Sequence, residues 1–154
     1  MENEVKIEIA VVHDIDGWMC LIDKVKDAFP GLETDEDLQE HKKIVLDFMG
    51  RKSAICAKVG DSVAGVLLFS KEDSMLCFLA VDAAYRRRHI AEQMVDFMLT
   101  FMEPEKDIVV TTYREGASDG KAARAFYKHL GFSEGKITEE FGSLVQEFIL
   151  KRSR

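Results

Sequence analysis

The chain is poor in features that several classes of protein depend on. Its 154 residues include two prolines and three cysteines, and its formal charge is -7. No apolar run approaches the roughly 20 residues that a membrane-crossing helix needs, so no membrane association is expected. The negative balance argues against a nucleic-acid partner, because affinity for phosphate backbones comes from clustered Lys and Arg. It suits a cationic substrate such as an amine, and it serves solubility equally well. Cys20, Cys56 and Cys77 stand apart in apolar runs, without a CxxC pair. Buried, reduced thiols in a cytoplasmic setting are the expectation. The opening Met1-Glu2-Asn3-Glu4 is acidic and polar, unlike a secretory leader. His13, His41, His89 and His129 are scattered along the chain, and no metal site is expected.

What is present is enough for a core. Apolar residues make up 47% of the chain, with ten Phe among them. A chain of this length buries roughly 70% of its unfolded surface, and one domain spanning 1–154 is expected. "VKIEIAVV" begins with the alternation of a half-buried strand. In "DIDGWMCLIDKVKDAF", Trp18, Leu21, Ile22, Val25 and Phe29 recur at helical spacing, and Pro30-Gly31 ends the run. "TDEDLQEHKKIVLDFM" reads as a second helix capped by Thr34 or Asp35, with Gly50 as its stop. Ala54 to Val59 and Ser62 to Ser70 form a hairpin around Gly60-Asp61. "MLCFLAV" is a central strand. A helix from about Ala91 to Met102, the strand "DIVVTTY", a helix in "GKAARAFYKHLGF" stopped by Gly131, and the strand "LVQEFILK" complete the order. The fold class is α/β (α+β): a mixed, mostly antiparallel central sheet of about six to seven strands with helices on both faces.

The most informative stretch is "FLAVDAAYRRRHIAEQMV", Phe78 to Val95. A buried strand ends near Val81 and a helix begins near Ile90. The first N–H groups of a helix have no intrahelical partner, and its dipole end is positive. Such a terminus binds phosphate oxygens, and Arg86, Arg87 and Arg88 add to the local potential. From the residues alone, a phosphate cradle and a solvated basic turn are equally good readings. The phosphate-loop pattern GxxxxGK followed by Ser or Thr is missing, and so is GxGxxG.

The segment "VDAAYRRRHIAEQMV" resembles the acyl-CoA binding segment of the GNAT superfamily of N-acetyltransferases. In that family an apolar strand ending in Val is followed by Arg or Gln, two variable residues, Gly, one variable residue, and Gly or Ala. Arg86 to Ala91 fill those places, and His89 stands where the family usually has Gly. A glycine there would permit a positive φ or close approach of a ligand to the backbone. Downstream, "AARAFYKHLGF" resembles the family's closing motif through Ala123, Phe126, Tyr127, Gly131 and Phe132; Gly120 replaces a frequent Asn.

The resemblance implies transfer of an acetyl group from acetyl-CoA to a small-molecule or peptide amine, by direct attack in a ternary complex. It implies that the backbone at Leu79, Ala80 and Val81 pairs with the pantetheine arm. Arg86, Arg87, Arg88, His89, Ile90 and Ala91 would then hold the pyrophosphate. Tyr127 falls at the place of the general acid, and Glu115 at that of a catalytic carboxylate, with Asp73, Asp119 and Glu134 as competitors for the base. A homodimer is also common in the family. The alternative on the same fold is a non-catalytic acyl-CoA binding or sensing module, which would keep the cradle and lose the acid and base.

Overall fold

Alternation of side chains decides which face of the sheet each strand residue meets. On β3 (Ser62–Ser70), Val66 and Leu68 join one buried cluster, while Leu67 and Phe69 join the other. The first cluster lies under α1 (Ile15–Val25) and α2 (Asp35–Gly50). The second lies under α3 (Ile90–Leu99) and α4 (Lys121–His129). Helices therefore cover both faces of the sheet. The computed structural model describes residues 4–26, 32, 34–85, 89–113, 121–140 and 143–152.

Seven strands form one mixed sheet in the order β1-β2-β3-β4-β5-β7-β6. They are β1 (Val5–Ile9), β2 (Ala54–Val59), β3, β4 (Met75–Val81), β5 (Ile108–Tyr113), β6 (Ser133–Glu140) and β7 (Ser143–Leu150). The expected hairpin is present with the expected boundaries, and Gly60 at its turn has φ +62°. The β4–α3–β5 unit brings its two strands together in parallel, the one parallel pair between described strands. Thr34 caps α2 reciprocally: its Oγ1 accepts from Asp37 N–H (3.0 Å) and Asp37 Oδ2 accepts from Thr34 N–H (3.1 Å). Gly131 ends α4 at φ +101°.

Seven strands meet the expectation of six to seven; the apolar pattern marks six of them, and the other is β6, an edge strand whose ladder is completed by β7 alone. Two expectations need correction. The third helix stops at Leu99 instead of Met102, because the Thr100, Phe101 and Met102 amides turn back to residues three earlier. The thiols are not all buried: Cys56 is, but Cys20 and Cys77 are exposed. Cys20 falls off the apolar stripe of Trp18, Leu21 and Ile22, and Cys77 occupies an irregularity in β4. Among the described residues no helix is long and apolar enough to cross a membrane.

Candidate active site

The site grows from an interruption in the sheet. β4 is bound to β3 along its length, with a register shift between Leu68↔Phe78 and Phe69↔Leu76 that leaves Cys77 as the extra residue. Such a bulge reverses which face the following side chains meet. Leu76 joins the α3 side of the core, whereas Phe78 and Ala80 join the α1 side. On its other edge β4 meets β5 at one pair, Met75↔Val109. That end is pinned, since Ser74 Oγ donates to Asp107 O (2.7 Å) and Val109 N–H donates to Ser74 O (3.0 Å). Beyond it no ladder joins the two strands among the described residues.

The orientation of the open edge follows from one bond. Asp82 N–H donates to Ala64 O (2.8 Å) across from β3. Antiparallel pairing alternates, so Ala80 also turns its N–H and C=O toward β3. Leu79 and Val81 turn theirs toward β5, where no strand partner meets them among the described residues. Of the three backbone positions expected to pair with an extended ligand, two face the interruption and Ala80 faces away.

The chain leaves β4 through a 3-10 turn, Ala83–Tyr85, and re-enters helix at Ile90. Ile90, the first residue of α3, is buried against β3, and Gly65 of β3 lets it approach: a Cβ there would lie 3.0 Å from Ile90 Cγ2. His89 is the N-cap, at φ 58° and ψ 29°. The left-handed backbone that a glycine would favour is therefore present, adopted by a histidine. Its imidazole is 80% exposed and lies 3.6 Å from Glu92, leaving the first-turn amides unobstructed by a cap bond from its side chain. A His89→Gly variant should gain about 1 kcal/mol of stability by relieving this conformation; an unchanged or lower melting temperature would contradict it. Arg86, Arg87 and Arg88 lie outside the described residues.

Tyr127 lies on α4, 6% exposed, with its ring 5.3 Å from Phe126, 5.5 Å from Phe132 and 6.1 Å from Phe148. Burial pushes its phenol above the ordinary range, so it stays protonated throughout neutral pH. Glu115, Asp119 and Gly120 lie outside the described residues. The other two competitors for the base are committed elsewhere. Asp73 accepts from Ser70 Oγ (3.1 Å) in the β3–β4 turn. Glu134 pairs with Lys128 (2.8 Å) and Arg124 (2.6 Å), and the Lys128 ammonium holds its carboxyl below the usual range.

Sequence reasoning passed over Asp82, a buried carboxylate at the exit of β4, and His41, a buried imidazole on α2. Asp82 followed two residues later by an amide it can accept from is a local Asx-turn pattern. His41 carried no local signal. Glu8, Asp14 and Cys56 also come together, with Lys58 Nζ 2.7 Å from both carboxylates and paired with each. Burial pushes the Cys56 thiol up to about 12.

The profile of the family described as "Acetyltransferase (GNAT) family" matches residues 18–132. No curated protein matches the chain. Among solved structures, a GNAT-family acetyltransferase from Bacillus cereus is 18% identical with a TM-score of 0.75, covering 98% of this chain and 99% of its own. The PaiA N-acetyltransferase of Thermoplasma acidophilum, in complex with coenzyme A, is 13% identical with a TM-score of 0.70 and covers 94% and 98%. A protein of Arabidopsis thaliana in complex with the bisubstrate analogue CoA-Ac-MVNAL is 16% identical with a TM-score of 0.71 and covers 94% and 97%. At these identities the likeness to solved structures shows the fold.

Proposed function

The chain belongs to the acetyltransferase (GNAT) family, and on that footing we propose that it moves an acetyl group from acetyl-CoA to a small-molecule or peptide amine by direct attack in a ternary complex. The reading includes 1–154 acting as one domain, in the cytoplasm, with a homodimer as the assembly to test. The observation that carries it is the end of the β4–β5 ladder at Met75 and Val109, which leaves the rest of β4 without β5 on the strand that leads toward α3.

An extended amide-bearing arm fits that interruption, because Leu79 and Val81 offer it backbone donors and acceptors in place of a strand. The α3 terminus suits a diphosphate, since its first N–H groups lack intrahelical partners and its dipole is positive there. Acetyl-CoA brings a thioester, whose carbonyl oxygen gains negative charge under attack and needs a nearby donor. The N–H groups of Leu79 and Val81, which face the interruption, are assigned to that donation. The attacking amine must be neutral, because an ammonium has no lone pair. Glu115 is assigned to take its proton, directly or through water. Tyr127 is assigned to protonate the departing thiolate, whose thiol ordinarily has a pKa near 8.5. Burial holds that phenol protonated and by the same rise in pKa makes it a weaker donor, so the assignment rests on the place of Tyr127 in the closing motif.

Isothermal titration with acetyl-CoA, with CoA and NAD as comparators, tests the reading. Micromolar binding of the CoA species without NAD binding is expected; a folded sample that binds none of them would overturn it. In an amine-dependent thiol-release assay, Tyr127→Phe is expected to lower the maximal rate on the order of 100-fold with little change in acetyl-CoA binding. Equal rates over the full pH range would remove Tyr127 as the acid.

A further inference from the structure

We propose that the acceptor amine docks on the face of β5 and β7 turned away from α4, and that it carries a second positive charge, which Glu147 binds. The inference rests on the acetyl-transfer reading of the β4–β5 interruption and deepens it on the acceptor side.

Val110 and Phe148 are a cross-strand pair in the core beneath α3 and α4. Alternation sends Val109 and Thr111 of β5, and Val145, Glu147 and Ile149 of β7, to the opposite face. Met75 pairs with Val109 and stands opposite Leu76 of the α3-side core, so this face is continuous with the one that α1 and α2 cover over β2, β3 and β4. The cluster beneath those two helices takes no residue from β5, β6 or β7. Val109, Val145 and Ile149 join neither buried cluster and stay partly exposed. An acceptor seated there meets the interruption from the side away from α3, and so away from the diphosphate.

Thr111 lies two residues beyond the last β4–β5 pair, along the interruption. Glu147 stands directly opposite it across the β5–β7 ladder. Their Cβ atoms are therefore about 5 Å apart, which puts Glu147 one strand away from the gap. Gly135, in the irregular part of β6, keeps room beside it: a Cβ there would lie 3.1 Å from Ile149 Cδ1 and 3.4 Å from Glu147 Cβ.

Glu147 is an exception among the carboxylates. Among the described residues, every other carboxylate that is at least partly buried has a nitrogen within hydrogen-bond or ion-pair reach, as Asp14 has Lys58 and Asp82 has Lys24. Glu147, partly buried, has none among them. A carboxylate drawn partly out of water without a partner is costly. An ammonium arriving with the acceptor supplies the partner, and Val109 and Ile149, themselves a cross-strand pair, suit the carbon chain that carries it. The chain's charge of -7 favours the approach of such a cation. The amine that attacks must be neutral, so the charge that Glu147 reads belongs to a second group.

The test compares α,ω-diamines of three, four and five carbons with monoamines of the same lengths in the thiol-release assay. For at least one length, the wild-type KM is expected to be about fivefold lower for the diamine, as for a partly exposed ion pair, and the preference should shrink as salt is added. Glu147→Gln keeps the shape and removes the charge. It should raise that diamine's KM about fivefold and leave kcat, the monoamine's KM and the CoA dissociation constant unchanged. Glu147→Lys should reverse the order, with the monoamine preferred. A merely structural role would move both amines and CoA together. Equal wild-type KM values at every length, turnover of neither kind of amine by a chain that binds CoA, or a diamine preference that survives in Glu147→Gln would overturn the inference. A wild-type chain that binds no CoA removes the underlying acetyl-transfer reading instead.

Discussion

An Arg124→Ala variant is expected to lose about 3 kcal/mol of stability and to melt roughly 10 °C lower. Arg124 is 7% exposed, as is Gln146 of β7. Its Nη1 donates to Gln146 Oε1 (2.7 Å), its Nη2 donates to Glu134 Oε2 of β6 (2.6 Å), and its guanidinium lies 5.0 Å from the Phe148 ring centroid. One side chain therefore ties α4 to the last two strands. The expected loss comes from the buried amide oxygen left without its donor and from the packing of the Arg stem. Glu134 is not abandoned, because Lys128 remains 2.8 Å away. Arg124→Lys should recover little, since an ammonium lacks the planar fork that spans two acceptors and covers a ring. Thermal and urea unfolding would check this; a loss below about 1 kcal/mol would show that the network contributes little beyond ordinary packing. Because α4 also carries Tyr127, the same variant should turn over more slowly even where it remains folded.

Acid should weaken the fold well before the carboxylates titrate. His41 is 8% exposed; its Nε2 accepts from Trp18 Nε1 at 3.4 Å, and its ring lies 5.0 Å from that of Phe78. Burial lowers its pKa from 6.5 to about 4. A histidine with a depressed folded pKa is buried neutral. Below its ordinary pKa the unfolded chain binds a proton that the folded chain refuses, so stability falls as pH falls. Between pH 7 and pH 4.5 the loss should be about 2 kcal/mol. Asp82, with its lowered carboxyl, adds its own loss only as pH falls further, through the carboxylate range. His41→Gln, whose amide oxygen can accept from Trp18, should flatten the profile between pH 6.5 and 4.5. Urea unfolding across this range checks it; an equal slope in both proteins would assign the titration elsewhere. Trp18, His41 and Phe78 join α1, α2 and β4, so the weakening should appear first where those elements meet.

The elements whose causes are local were legible in the sequence. The β2–β3 hairpin follows from apolar runs around Gly60-Asp61, and the α2 start from Thr34 and the acidic residues after it. The strand-to-helix passage from Met75 to Leu99 is written in one continuous change of period. That passage and the α4 segment also carried the family resemblance, which the match over residues 18–132 bears out.

What tertiary structure alone decided are the features that need a distant partner. β6 reads as charged and polar, and it is a strand only because the backbone of β7 completes its ladder. The bulge at Cys77 arises from the register between β3 and β4, and the interruption beside it from how far β5 follows β4. Asp82, Arg124 and His41 looked like ordinary polar residues until the fold removed water from around them and supplied Lys24, Gln146 and Trp18. Apolar period and turn chemistry act over a few residues, so the order of elements and the place of the helix terminus follow from local stretches of the chain. Pairing, burial and charge balance act between residues far apart in the chain, and only the folded molecule brings those groups within reach of one another.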